Sequence, residues 1–295
     1  MKLPRITIEQ WIVLQTIVDE GSFARAAVKL HRSQSTVSYT IAKLQEALGL
    51  TLLEMKGRRA VLTEAGKQIL NRTRHLTRVA QDLEQSAFNL QQGWEIELSL
   101  VIDGIFPRTY LFEVLKNFNA VNKFTRLHIY EEILSGPTEA LVDGRADLAI
   151  TSKIPAGFSG DKIIEIESMA YAHPSHRLHQ LEHELTEDDL RTERYIVVRD
   201  SGVKGERNEG WLGSEYLWKV DSIDLKVNLV AQGIGFSWLP RLIVEERQLP
   251  LKPLPLQTGQ TRYYPLYLVI RDLQKIGPSC RQLAEKIKES CAVNN

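Results

Sequence analysis

The chain has 295 residues, with 37 Lys and Arg against 37 Asp and Glu and 43% apolar side chains. That length exceeds one small domain and suits two or three. No apolar run reaches the roughly 18 residues that a membrane span needs, so a membrane-spanning chain is excluded. Charge is nevertheless uneven: residues 1–92 hold 13 Lys and Arg against 8 Asp and Glu, and the remainder 24 against 29. A basic front on an acidic body suits a nucleic-acid head on a sensor body.

The opening Met-Lys-Leu-Pro-Arg leads into an amphipathic helix rather than a signal peptide, and the chain is expected to stay in the cytoplasm. Gly21 ends that helix and Ser22 caps the next. A third helix follows Ser33, with Val37, Ile41, Leu44 and Leu48 in one apolar stripe about 60° wide. Its opposite side carries Ser35, Thr36, Tyr39, Ala42 and Lys43, with no carboxylate before Glu46. Short hydroxyls and an amide can approach base edges and phosphates, so the helix suits a DNA major groove. The same pattern fits the solvated face of a small helical bundle. Candidate DNA contacts are Ser22, Arg32, Ser33, Gln34, Ser35 and Thr36, followed by Ser38, Tyr39 and Lys43. Next come two short apolar pieces around Lys56-Gly57-Arg58-Arg59. Gly57 permits a hairpin turn, and Lys56, Arg58 and Arg59 at its tip would grip a phosphate backbone as a wing.

Leu62, Ile69, Leu76, Leu83 and Leu90 then recur every seven residues. This heptad seam would run for roughly 42 Å of helix. It predicts a dimer-forming helix over 63–92; the alternative is an amphipathic helix lying on its own domain.

From residue 96 strands alternate with helices. Strands are expected at Ile96–Ile102, Leu127–Leu134 and Asp147–Thr151, with helices between, as in a doubly wound parallel sheet. A second set runs through strands at Arg194–Val198 and Leu217–Val220, a helix at Ser222–Ala231 and a strand ending at Pro240. A strand at Tyr267–Arg271 and a helix at Pro278–Cys291 close the chain. In such folds ligands sit beyond the carboxyl ends of the strands. Those ends nominate Asp103, Gly104, Ile105, Phe106, Glu131 and Ile133 as effector contacts. They also nominate Thr151, Ser201, Gly202 and Val203, with Phe236 and Trp238 as apolar walls or core. Asp103 with Glu131 and Glu132 nearby would repel an anion, so a neutral or cationic effector is expected.

Residues 6–66 resemble the winged helix-turn-helix of LysR-type transcriptional regulators. The resemblance rests on Phe23-Ala-Arg-Ala-Ala27, Ser33-Gln-Ser-Thr-Val-Ser38, Ile41-Ala-Lys-Leu-Gln-Glu-Ala-Leu-Gly49 and Leu62-Thr-Glu-Ala-Gly66. Ser35 stands where the family commonly has Pro, Tyr39 where it has Arg, and Leu53 and Met55 where it has Phe and Arg. The loss of two cations weakens the phosphate contacts that the pattern implies. Asp147-Leu-Ala-Ile150, His173-Pro174 and Gly233-Ile-Gly-Phe-Ser-Trp-Leu-Pro240 extend the resemblance to the effector-binding body.

The resemblance implies an all-α winged helix-turn-helix domain at 1–62, a linker helix at 63–92 and a two-lobed α/β effector domain at 93–295. That domain would be of periplasmic-binding-protein type, with lobes of about 95–167 plus 271–295 and 168–270. The implied function is that of a sequence-specific DNA-binding regulator responding to a small-molecule effector of unknown identity. Its partners would be a two-fold related site on double-stranded DNA and RNA polymerase, with the chain itself in a homodimer or homotetramer.

No cofactor is implied. His173, His176, His179 and His183 read as a surface loop rather than a metal site, and no nucleophile with its base is evident. Cys280 and Cys291, roughly 16 Å apart on one helix, read as packing or surface thiols. The competing functions are a solute-binding protein without a DNA role and an α/β enzyme.

Overall fold

The computed structural model describes residues 3–57, 59–204 and 213–293. The chain divides into two compact units, Met1–Gln92 and Gly93–Asn295.

The first unit begins with α1 (Ile8–Glu20), capped by a reciprocal Thr7–Gln10 pair and ended by Gly21 at φ +70°. A left-handed residue there favours glycine, which has no Cβ to clash. In α2 (Phe23–Lys29) the cap is Ser22, whose hydroxyl accepts from the Arg25 N–H at 3.2 Å. Ser33 does the same for α3 (Gln34–Leu48), accepting from the Thr36 N–H at 3.1 Å. The three helices bury Val13, Leu14 and Ile17 against Ala26, Val37 and Leu44. Strands β1 (Leu53–Lys56) and β2 (Arg59–Leu62) form an antiparallel hairpin that pairs Lys56 with Arg59 at its tip. Helix α4 (Glu64–Gln91) follows, capped by Thr63.

The second unit is built on a nine-stranded sheet. Strand β3 (Glu97–Asp103) lies parallel to both β4 (Arg126–Glu132) and β5 (Leu148–Thr151). Helices α5 (Arg108–Val121) and α6 (Gly136–Val142) make the crossovers. Next come β6 (Gly160–Ala172), α7 (Glu187–Arg191), β7 (Arg194–Val198) and β8 (Tyr216–Val220). Then follow α8 (Ile223–Ala231), β9 (Phe236–Pro240), α9 (Arg241–Glu246), β10 (Lys252–Pro253), β11 (Thr261–Ile270) and α10 (Pro278–Val293). The strand order is β4-β3-β5-β11-β6-β9-β7-β8, with β10 on β6.

Both halves of the sheet are parallel locally, as the sequence suggests, but two long antiparallel strands join them. Strand β6 is not foreseen, and β11 begins six residues before the expected Tyr267. Pro265 and the register shift at Leu266/Tyr267 break the strand signal within β11. One core packs Leu100, Ile102, Phe106 and Val114 against Leu283 and Ile287 of α10. Another packs Tyr195, Phe236 and Trp238.

Candidate functional site

The outer face of α3 is open. Gln34, Ser35, Thr36, Ser38 and Lys43 are exposed, and Tyr39 is 64% exposed. Val37, Ile41 and Leu44 on the opposite side are buried. Ser33 does more than cap: its hydroxyl also meets those of Ser35 at 2.8 Å and Thr36 at 2.7 Å. Arg32 is exposed and ion-paired with Glu9. Lys43 pairs with Glu46 at 2.7 Å, and that hydrogen bond raises the pKa of its ammonium. Any phosphate contact by these two cations competes with an existing carboxylate. Ser22 is half-buried, its hydroxyl used by the cap.

The hairpin is held beside α3 by Gln45, whose side-chain oxygen accepts from the Leu52 N–H at 2.7 Å and the Leu53 N–H at 3.2 Å. The Ala60 N–H donates to the Gly21 carbonyl at 3.2 Å, tying it to the end of α1. Lys56 and Arg59 are exposed at the tip, and Gly57 turns the chain at φ +63°. Arg58 lies outside the described residues. Helix α4 packs through Leu70, Thr73 and Thr77, and Thr77 meets the Gln15 amide of α1 at 3.2 Å. Leu76, Leu83 and Leu90 are 46%, 67% and 51% exposed.

In the second unit a cavity of about 90 Å³ lies between the two halves of the sheet. Its apolar lining includes Ile105, Ile133, Leu134, Val197, Ile223 and Trp238. Its polar lining includes Asp103, Ser152, Ser168, Tyr195, Lys226 and Arg262. The Arg262 guanidinium sits 3.7 Å above the Trp238 ring, and the Trp238 indole N–H donates to the Gly259 carbonyl at 2.9 Å. Burial pushes the Tyr195 phenol up to about 12. Lys226 is only 8% exposed and forms no ion pair among the described residues. Burial, with Arg262 adding to it, pushes its ammonium down to about 7.

Of the sequence-nominated effector residues, Asp103, Ile105, Ile133 and Trp238 line this cavity. Phe106 does not: it is buried against Tyr110, ring centroids 6.4 Å apart. Phe236 is likewise core, stacked on Tyr195 at 5.2 Å. Thr151 is fully buried and donates to the Lys153 carbonyl at 3.2 Å. Glu131 is ion-paired with Arg108. Gly104 is a close approach, where an added Cβ would sit 3.0 Å from Ile223.

Ser201 and Gly202 belong to a clasp instead. The Ser201 hydroxyl accepts from the Ile133 N–H at 2.8 Å and donates to the Ile133 carbonyl at 3.0 Å. Asp200 accepts from the Ser135 N–H, the Ser135 hydroxyl and the Gly202 N–H, each at 2.9 Å. Val203 is 85% exposed and donates its N–H to Glu139 at 2.8 Å.

Of the three carboxylates behind the expectation of a neutral or cationic effector, Asp103 lines the cavity and Glu131 and Glu132 do not. Glu131 faces Arg108, and Glu132 lies 3.7 Å from Arg145. The cavity instead holds two cationic side chains beside Asp103. Lys226 was visible as a charge on the apolar face of α8, three residues after Ile223 and four before Val230. Arg262 lies on the part of β11 that the sequence pattern misses.

The thiols are not at the surface: Cys280 and Cys291 are buried in α10. Burial pushes them up to about 12 and about 11. Among the described residues no group of His, Cys, Asp and Glu is arranged to hold a metal, and no helix is long and apolar enough to cross a membrane.

Two family profiles match the chain. The bacterial regulatory helix-turn-helix protein, lysR family, covers residues 8–67, and the LysR substrate binding domain covers residues 91–292. The chain belongs to the LysR family of transcriptional regulators. Among LysR relatives, it is 32% identical to the uncharacterized HTH-type transcriptional regulator YeeY of Escherichia coli K12, over 79% of this chain and 77% of that one. It is also 32% identical to the probable regulator YhaJ of Escherichia coli K12, over 82% of each. Full-length LysG of Corynebacterium glutamicum, solved with its bound effector Arg, aligns at TM-score 0.53 and 20% identity, covering 97% of this chain and 98% of that one. The protein is thus a DNA-binding transcriptional regulator with an effector-binding domain, not an enzyme.

Proposed function

We propose that this LysR-family regulator reads DNA through Gln34, Ser35, Thr36, Ser38 and Tyr39, placed by α3 in the major groove. Ser22, Arg32, Ser33 and Lys43 steady the helix on the phosphates, and the Lys56, Arg58 and Arg59 wing grips the backbone. The observation that carries this reading is the sidedness of α3: every named reader is exposed while Val37, Ile41 and Leu44 are buried.

Two chains pair through α4, whose Leu76, Leu83 and Leu90 form an exposed apolar row. A paired head reads a two-fold related site. Higher assembly to a tetramer and contact with RNA polymerase complete the regulatory step.

The effector domain works as two lobes, about 95–167 with 271–295 and 168–270, around the cavity that Asp103, Ile105, Ile133 and Trp238 line. A small molecule there shifts the balance between lobe arrangements by its differential affinity for them. The test is selection of binding sites from random duplexes by the full-length protein, followed by mobility shifts. Recovery of a two-fold sequence, lost with Gln34→Ala and Ser38→Ala, supports the reading. Unselective binding that both variants retain counts against it.

A further inference from the structure

We infer that the cavity takes a small organic carboxylate, its anionic group held between Lys226 of α8 and Arg262 of β11. This rests on the reading of the cavity as the effector site.

Charge comes first. Asp103, Lys226 and Arg262 line the cavity, two cations against one carboxylate. The other nearby carboxylates are committed elsewhere, Glu131 to Arg108 and Glu132 to Arg145. Lys226 is 8% exposed and has no ion-pair partner among the described residues. A buried ammonium without a counterion is costly, and an anion in the cavity removes that cost. Below about pH 7, where Lys226 is charged, the surplus of one positive charge matches a monoanion.

Geometry points the same way. Trp238 covers one face of the Arg262 guanidinium at 3.7 Å. Stacking of that kind fixes the plane of the fork and leaves its edge as the donor surface, which suits a carboxylate. Ile105, Ile133, Leu134, Val197 and Ile223 form the aliphatic part of the wall and receive the carbon skeleton, with Ser152, Ser168, Tyr195 and Tyr264 completing the lining. At about 90 Å³ the cavity is small. A cavity of roughly 150 Å³ holds benzene, so the ligand has only a few carbons unless the lobes part.

Titration supplies a second readout. Asp103, Tyr195, Tyr264 and Arg262 are the titratable and charged groups that line the cavity with Lys226. Burial and Arg262 together push the Lys226 ammonium down to about 7. A bound carboxylate raises it, so binding takes up a proton and tightens as pH falls from 8 toward 6.

The test is calorimetry and thermal unfolding of the full-length protein with acetate, propionate, pyruvate and lactate, against ethylamine, propylamine and propanol. Each is taken to about 10 mM, tenfold above a millimolar Kd. A carboxylate is expected to bind, more tightly at pH 6 than at pH 8, with the amines and propanol silent. Lys226→Met, which keeps side-chain length without the charge, and Arg262→Gln are each expected to weaken binding by about tenfold or more. If an amine or propanol binds best, or if both variants bind carboxylate as the parent does, the inference is overturned while the effector-site reading stands. Silence of every probe counts against both.

Discussion

Asp200 accepts both the backbone N–H and the hydroxyl of Ser135 at 2.9 Å, joining the turn after β4 to the turn after β7. Both residues are buried, and the Gly202 N–H shares the same carboxylate. With the Ser201–Ile133 and Val203–Glu139 contacts, this link fastens the two halves of the effector domain beside the cavity.

Replacing Asp200 with Ala strands the N–H donors of Ser135 and Gly202, while the Ser135 hydroxyl keeps Glu139 as an acceptor at 3.3 Å. Each unsatisfied buried group costs about 1–3 kcal/mol. The variant is expected to lose about 2–4 kcal/mol, read as a fall of several degrees in Tm by calorimetry. A Tm unchanged from the parent would show that the clasp contributes nothing to the folded domain.

Substitutions in the head should separate reading from gripping. Gln34→Ala is expected to cost about 1–3 kcal/mol on the preferred duplex and little on random DNA. Arg59→Ala should weaken both alike and lower the slope of log affinity against log salt by about 1. Titrations at several salt concentrations distinguish the two patterns.

Leu83 is 67% exposed on α4, and Leu76 and Leu90 lie one heptad to either side. Leu83→Glu places a carboxylate at the centre of that row. Sedimentation velocity is expected to show a shift toward monomer, or from tetramer to smaller species, with the far-ultraviolet spectrum retained.

Lys226 makes stability depend on pH. Its ammonium is held near 7 in the fold against an ordinary 10.5. Below about pH 7 the amine is charged in both states and the burial penalty is complete. Between about 7 and 10.5 the unfolded chain holds a proton that the folded chain lacks, so stability rises with pH across that window. The difference in Tm between Lys226→Met and the parent is therefore expected to favour the variant at pH 6.5 and to shrink by pH 9.

The head was legible because its signals are local. Caps at Ser22 and Ser33, the left-handed Gly21 and the stripe of Val37, Ile41 and Leu44 all lie within a few turns of chain. The effector domain was legible only in part. Its parallel units show as apolar runs, but β6 and β11 pair across about a hundred residues and β11 carries Pro265. The Ser135–Asp200 clasp joins residues 65 apart and leaves no local pattern. Apolar strand ends at Phe106 and Phe236 look like cavity walls in one dimension and prove to be core. Lys226 carried a usable signal, since a charge on a buried helical face needs a reason.

The central claim, that the exposed face of α3 reads DNA, is tested most directly by methylation interference on a selected duplex with the full-length protein. Protein carrying Gln34 and Ser38 is expected to be blocked by major-groove methylation at guanines in two symmetric half-sites about one helical turn apart, and the Gln34→Ala, Ser38→Ala double variant to lose that pattern. Binding that ignores major-groove methylation, and that the double variant reproduces, would contradict it.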